Sequence, residues 1–279
     1  FVLHTGGVSF GASKSPREQA AMEILRRLHP HYEADVMAFV QADPAKPYRI
    51  ALDLARIQAR RKPAVLAVLH DRAGGTLRTV RELALHLQQQ VTTLVLTPLP
   101  GQAVKLSLAG ENEAFALQFS LPGQLDDLLQ LLRALDVQHV HYHHLLGHQA
   151  LIRDLPALLG ISYDFTAHDF YTYCARISLT GDDNRYAPEN APGECACCAP
   201  DSTAPDGGSM KQWRETHRDF LQRARLVLAP SLDAASRIAA FAPDANVKAV
   251  PHTDISLALP SVKTPSFDAS RRLKVVVIG

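Results

Sequence analysis

Asp164-Phe-Thr-Ala-His168-Asp169 sets an imidazole and a carboxylate side by side just past Ser162 to Thr166, a run that reads as a strand. In an open α/β sheet, ligands gather beyond the carboxyl ends of the strands. There a histidine can donate to a sugar hydroxyl or a phosphate, and its carboxylate neighbour can accept from hydroxyls or tune the ring's basicity. A loop histidine that merely caps a neighbouring strand is the alternative. A second candidate is the turn Gly74-Gly75-Thr76, which follows an apolar run and precedes a helical pattern. Its glycines let backbone approach a ligand closely, and the helix N-terminus offers free N–H groups to an anion. Glycines that only make the turn would look the same. Arg78, in the first turn of that helix, is placed either to meet an anionic acceptor group or to form a surface salt bridge. Nicotinamide binding is disfavoured, because the three spaced glycines are absent and Thr97-Pro98 stands where an acidic residue would hold the ribose.

His139, His141, His143, His144 and His148 invite a metal reading. Alternation puts His139, His141 and His143 on one face only if the strand runs that far, and no acidic residue lies within the cluster. His143 and His144 are instead expected in the loop above the sheet, lining the cleft. Cys174, Cys195, Cys197 and Cys198 all fall in one long insertion. The two-residue gap from Cys195 to Cys198 suits a zinc chelate that Cys174 or Cys197 would complete, although a zinc knuckle normally has two separated pairs. Free thiols in a reducing compartment are the alternative, with a stable disulfide less favoured.

These groups need a scaffold. Strands are expected at Ala64 to Leu69, Val91 to Thr97, Val137 to His141, Ser162 to Thr166, Leu226 to Ala229 and Val247 to Val250. Helices are expected at Leu77 to Gln90, Leu125 to Leu135, Gln149 to Leu159, Met210 to Ala224 and Leu232 to Phe241, with Ser231 as an N-cap. Val104 to Leu108 and Ala114 to Phe119 read as a hairpin after the second strand. The alternation predicts an α/β fold: a Rossmann-like parallel sheet with helices on both faces over residues 62–250, carrying a cysteine-containing insertion at 170–208. Residues 1–60 form a short extension that opens strand-like at Phe1 to Phe10 and becomes helical around Ala20, Ile24, Leu25 and Leu28. Prolines at 251, 260 and 265 mark a linker, and Arg271 to Gly279 begins a second strand-and-glycine unit. Together these predict half of a two-domain ligand clamp, with Val275 to Ile278 an orphan strand.

Composition narrows the class. The chain has 279 residues, 47% hydrophobic and 20% charged, which is an ordinary globular balance. A net charge of +1 and no basic run longer than Arg60-Arg61-Lys62 argue against a nucleic-acid partner. No apolar stretch approaches the roughly 20 residues of a membrane span, so the chain reads as cytoplasmic, peripheral at most to a membrane's inner face.

The glycine turn, His141-Tyr-His-His-Leu-Leu-Gly147, Asp164 to Cys174 and Ala229-Pro-Ser231 together resemble the amino-terminal half of a family 4 glycosyltransferase of the GT-B fold, over residues 62–279. His4 to Gly11 resembles the carboxyl end of a family 2 glycosyltransferase of the GT-A fold, whose late histidine joins a metal-diphosphate site. The first resemblance implies an acceptor-side domain in a longer chain. Its donor-binding partner domain would follow, and the acceptor would be a polysaccharide or lipid-linked glycan. It implies a nucleotide-sugar donor, retaining transfer, no cofactor for this half, and His168 touching the transferred sugar with Asp169 beside it. Gly74, Gly75 and Thr76 would line the interdomain cleft. Relatives tend to carry a cysteine after the tyrosine at Tyr186, where this chain has Ala187, so Cys197 would have to complete a four-thiolate zinc site. A non-catalytic carbohydrate- or nucleotide-binding module is the competing reading, and a metal-dependent hydrolase built on the histidines is a third.

Overall fold

The computed structural model describes residues 14–110, 115–181, 185–187, 189–191 and 194–251. The expected strands at Phe1 to Phe10 and Val275 to Ile278, His4, the start of the hairpin's second strand and the linker beyond Pro251 lie outside the described residues. Three helices come first, α1 (Lys14–Leu28), α2 (Tyr32–Ala42) and α3 (Lys46–Gln58). The sheet then builds from β1 (Ala64–Val68), α4 (Gly75–Leu87), β2 (Thr92–Leu99), β3 (Ala103–Leu108), β4 (Ala116–Ser120), α5 (Leu125–Ala134) and β5 (Val137–Tyr142). A 3-10 turn, Ala150–Asp154, runs into α6 (Leu155–Leu159), followed by β6 (Ser162–Thr166), a small hairpin β7 (Glu189–Ala191) and β8 (Glu194–Cys195), α7 (Met210–Arg223), β9 (Leu226–Ala229), α8 (Leu232–Phe241) and β10 (Val247–Ala249).

Eight strands form one sheet in the order β10-β9-β6-β5-β1-β2-β3-β4. Six are parallel, and β3 and β4 add antiparallel beyond β2, so the hairpin expected as an insertion extends the sheet and makes it mixed. The chain goes from β1 to β2 on one side and later to β5 on the other. This reversal is the topological switch point at which open α/β sheets bind ligands.

Alternation along β1 divides the core. Ala64, Leu66 and Val68 face the large cluster under α5, α6, α7 and α8, whereas Ala67 and Leu69 meet Val80 of α4 and Val95 on the opposite face. Helices therefore cover both faces of this Rossmann-like α/β fold. At the centre of the large cluster, the Phe220 ring lies 5.0 Å from Tyr163 and 5.1 Å from Tyr142. The helix expected from Gln149 to Leu159 is split at Pro156, which has no N–H to give the carbonyl of Ile152. The Tyr142 hydroxyl donates to that carbonyl instead, at 2.6 Å. Ser231 caps α8 by accepting from the Ala234 N–H, as expected, and Ser209 caps α7 through the Gln212 N–H.

The amino-terminal extension holds three helices where the periodicity suggests one. Helix α3 is anchored to the core through Ile57 and through Gln58 Nε2, which donates to the Ala134 carbonyl. Val36, Met37, Phe39 and Val40 of α2 are exposed. No helix among the described residues is long and apolar enough to cross a membrane.

One ionic lock crosses three parallel strands. Arg225, entering β9, donates from Nε to Asp164 Oδ1 at 2.9 Å and from Nη2 to Oδ2, and His139 Nε2 on β5 stands 3.1 Å from the same Oδ2. Burial alone would raise the Asp164 pKa, but the bonds from His139 and Arg225 outweigh it and hold the carboxyl well below the usual range. The contribution to stability is thus present above about pH 4, the ordinary aspartate value, and is lost as pH falls through the depressed one. Because Arg225 is largely exposed, salt screens part of it. Asp164→Asn is expected to lower stability at pH 7 and to flatten the acid limb of a urea-denaturation series between pH 5 and pH 2, an effect about 1.4 kcal/mol per unit of pKa shift at most.

Candidate functional site

The switch point is built from backbone first. The Val68 carbonyl at the end of β1 accepts from the N–H groups of both His143 (2.8 Å) and His144 (3.2 Å), which holds the loop after β5 against the loop after β1. Farther along, Gly147 sits at φ +83, and a Cβ there would meet Pro98 Cγ at 2.9 Å, so only glycine lets this loop lie on the end of β2.

Two histidine pairs then connect β5 to β6. His143 Nδ1 lies 3.1 Å from His168 Nε2, and His144 Nε2 lies 3.0 Å from Asp169 Oδ2. His144 Nδ1 accepts from the Leu146 N–H, so the ring proton sits on Nε2 and is donated to the carboxylate. Asp169 Oδ1 accepts from the Tyr171 N–H, which leaves the carboxylate oriented from both sides. His143 and His144 are themselves buried, beneath the cleft that they were expected to line, while His168 and Asp169 are half-buried above them. Chemically this is a layered arrangement: two enclosed imidazoles orient a surface imidazole and a surface carboxylate.

The glycine turn follows His70, whose ring contacts His144. Gly74 is the N-cap of α4 with φ +145, a conformation that a side chain disfavours, and a Cβ on Gly74 or Gly75 would meet nothing within 4 Å. The helix N-terminus is therefore open. The Thr76 side chain is buried, and Arg78 Nε donates to Glu82 Oε1 at 2.6 Å across one helical turn.

Several residues at this end were not singled out from the sequence. A crevice of about 1090 Å³ runs between α4 and the β2–β3 strands and is lined by His70, Arg72, Arg81, Lys105 and Ser107 among others. His70 joins it to the histidine layer, its ring lying edge-on to His144 at 4.8 Å. Burial and then repulsion from His144 lower the His70 pKa. Its signal in the sequence was its place immediately after an apolar strand. His139, His141 and His143 do share a face, with His141 and His143 stacked at 4.2 Å, but they border a narrow gap under α4 rather than the ligand side. Burial pushes His141 down to about 4, and its Nε2 meets Thr166 Oγ1 at 2.7 Å.

The cysteines converge although their loop is irregular. Among the described residues, Cys174, Cys195, Cys197 and Cys198 form the only group of His, Cys, Asp or Glu side chains close enough to share a metal, with all four sulfurs within 4.8 Å of one another. Two sulfur separations are 3.5 Å (Cys174 to Cys197) and 3.8 Å (Cys197 to Cys198), against about 3.8 Å for the edge of a tetrahedron with 2.3 Å metal–sulfur bonds. All four are free thiols. Cys197 is thus the fourth thiol of the group. Buried Arg214 donates to Cys195 Sγ and to the carbonyls of Tyr173 and Cys198. Bonds from Cys174, from the other two thiols and from Arg214 pull Cys195 down to about 5 against burial, while Cys174 is pushed well up, first by its bond to Cys195 and then by burial. The donor set fits a soft or borderline divalent cation.

No protein-family model and no curated protein matches the chain. Among solved structures, a UDP-glucosyltransferase from Polygonum tinctorium capable of glucosylating indoxyl, in complex with 3,4-dichloroaniline, aligns at 17% identity and a TM-score of 0.42, covering 71% of this chain and 54% of its own. The chain thus spans about half that enzyme's length. Pyridoxal kinase from Lactobacillus plantarum aligns at 10% identity and a TM-score of 0.32, covering 71% of this chain and 65% of its own.

The His144–Asp169 pair has a stability consequence that is separate from any chemistry. Replacing His144 with Ala leaves the Leu146 N–H and one carboxylate oxygen without their partners and opens a void beside His70 and Tyr171. A loss of about 1–3 kcal/mol is expected in urea denaturation. His144→Asn keeps one of the two hydrogen bonds and should lose less.

Proposed function

We propose that this chain is the acceptor-side Rossmann-like half of a GT-B-type retaining glycosyltransferase, acting on a nucleotide-sugar donor and a polysaccharide or lipid-linked glycan acceptor. The observation that carries the reading is the layered pair His143–His168 and His144–Asp169 at the β1/β5 switch point. His168 would donate to a hydroxyl of the sugar being transferred, and Asp169 would accept from a neighbouring hydroxyl. The free N–H groups at Gly75 and Thr76 suit the charge of a departing diphosphate. The crevice of about 1090 Å³ would receive the acceptor, with Arg72, Arg81 and Lys105 favouring one that carries an anionic group. Donor selection belongs to a second domain, which on this reading would close over the cleft and exclude water. A lipid-linked acceptor would put the protein at the inner face of a membrane.

The test is nucleoside diphosphate release from a panel of nucleotide sugars by the full-length protein that contains this chain, supplied with a glycan or lipid extract. Release is expected, and His168→Ala should reduce it about 10²–10³-fold, the usual effect of removing one transition-state donor. No release from folded protein with any donor would overturn the reading and favour a non-catalytic carbohydrate-binding module.

We further assign the cysteine cluster to zinc, held by Cys174, Cys195, Cys197 and Cys198 as a closed four-thiolate structural site. Its chemistry would be structural: the four thiolates would hold together the two ends of the insertion, and Arg214, which donates to Cys195, would offset part of their negative charge. One equivalent of zinc per chain is expected by elemental analysis. Chelation should lower the melting temperature, and cobalt substitution should bring thiolate-to-metal charge-transfer absorption that Cys198→Ser weakens.

A further inference from the structure

We propose that the outer edge of the sheet, strand β4, is a docking site for an extended peptide of another protein, one with apolar side chains at alternate positions and an acidic residue beside them. β4 lies outermost in the sheet and, among the described residues, pairs with β3 alone. The bonds at its end show which way its backbone points. The Leu121 N–H donates to the Gln102 carbonyl, across to the start of β3, whereas the Ser120 N–H donates to Gln124 Oε1 and the Ser120 carbonyl accepts from the Gln124 N–H. Antiparallel pairing alternates, so Phe119 and Leu117 bond toward β3, while Gln118 and Ala116 direct their N–H and C=O groups outward with Ser120. The other side of β3 agrees: Ala109 donates to Thr93 beside β2, and the same alternation carries Leu106 and Val104 toward β4. Gln124 closes the outward groups of Ser120 as a neighbouring strand would. Nothing among the described residues does so for Gln118 or Ala116, and both are exposed.

Sheet edges are normally guarded by charge, proline, a bulge or shortness. The opposite edge is guarded: β10 has three residues, with Lys248 at its middle and Pro251 just beyond. β4 is Ala-Leu-Gln-Phe-Ser, uncharged, without proline and in unbroken register with β3. Strand-addition sites combine such an open edge with pockets for alternate side chains.

A groove of about 480 Å³ supplies the pockets. It borders β4 between α3 and α5, with half-buried Ile50, Leu117 and Leu131 and buried Phe119 as its apolar walls. A strand added antiparallel to β4 would turn every second side chain into this groove, and those side chains would be apolar. Lys46 is the one charged residue of the described lining, and its ammonium has no partner among the described residues. That calls for a carboxylate. It also argues against a second copy of this chain as the occupant, because Ala116–Ser120 carries no acid to meet Lys46. The groove shares only Ala116 with the crevice beside α4, and the inference does not depend on sugar transfer.

The test is fluorescence anisotropy on the full-length protein that contains this chain, with labelled synthetic heptapeptide pools as probes. The pools have the pattern Glu-Thr-Z-Thr-Z-Thr-Glu, where Z is Val, Ile, Leu or Phe, and a matched pool carries lysine at both ends. Saturable binding is expected from the glutamate pool, with the lysine pool about fivefold weaker. Methylating the amide nitrogens of the second, fourth and sixth residues, which face β4, should weaken binding at least about tenfold, whereas methylating those of the third and fifth, which face away, should not. Gln118→Pro removes an outward N–H that the pairing with β3 does not use, so urea denaturation should change little while peptide binding is lost. Lys46→Glu should reverse the preference toward the lysine pool. No saturable binding from either pool, or binding that methylation of the β4-facing amides leaves unchanged, would overturn the proposal. A dimer in sedimentation equilibrium that Gln118→Pro dissociates would overturn it as well, in favour of edge pairing between two copies.

Discussion

A single buried guanidinium sets the constraint under which the ligand end of this protein is organised. Arg214 on α7 is 5% exposed and donates to the Tyr173 carbonyl, the Cys198 carbonyl and the Cys195 sulfur. A charge so enclosed has to be met by fixed partners, because leaving it unpaired would cost several kcal/mol. Its neighbour Trp213 donates to the Tyr171 carbonyl in the same stretch. Two adjacent helical residues thereby pin the segment 171–174. That segment begins two residues after Asp169 and ends at the first cysteine. Rigid α7 is thus the reference against which both the histidine layer and the thiol cluster are positioned.

The β1/β5 reversal supplies the complementary half of the geometry. Diverging strands leave a gap at their carboxyl ends, and the Val68 carbonyl fills it by binding two successive N–H groups. This directs His143 and His144 inward, toward His168 and Asp169. The surface pair is consequently oriented by buried partners, an arrangement that keeps a donor and an acceptor in place without ordering them anew when a ligand arrives. The glycines at 74 and 147 serve the same end by different means. One opens the helix terminus, and the other lets a loop lie against Pro98.

Much of the scaffold was legible in the residues because burial imposes a pattern on them. Ser162–Thr166, Leu226–Ala229 and Leu232–Phe241 match their expected limits to the residue, since strand ends at charged or turn residues and a serine cap leave little choice. The split at Pro156 was legible in principle, as a proline inside a helical pattern lacks its N–H. Helices α2 and α3 were less so, because most of their apolar residues are exposed and packing did not impose a face on them. At the site, His168, Asp169 and the glycine turn stood out by position at strand ends. His70 occupied an equivalent position but lacked a conspicuous neighbour, and Arg214 looked like an ordinary helix residue.

By itself the sequence determined most of the strands and helices of residues 62–250, that the sheet is of the Rossmann-like α/β kind, and that histidines, glycines and cysteines gather at loops after strands. These properties are local, set by periodicity, capping and turn chemistry over a few residues. Tertiary structure alone decided which histidine pairs with which partner, and that four cysteines spread over 25 positions bring their sulfurs within 4.8 Å. Each of these depends on distances between residues from different elements. Such distances are fixed only when the sheet order and the packing of α7 place those elements together.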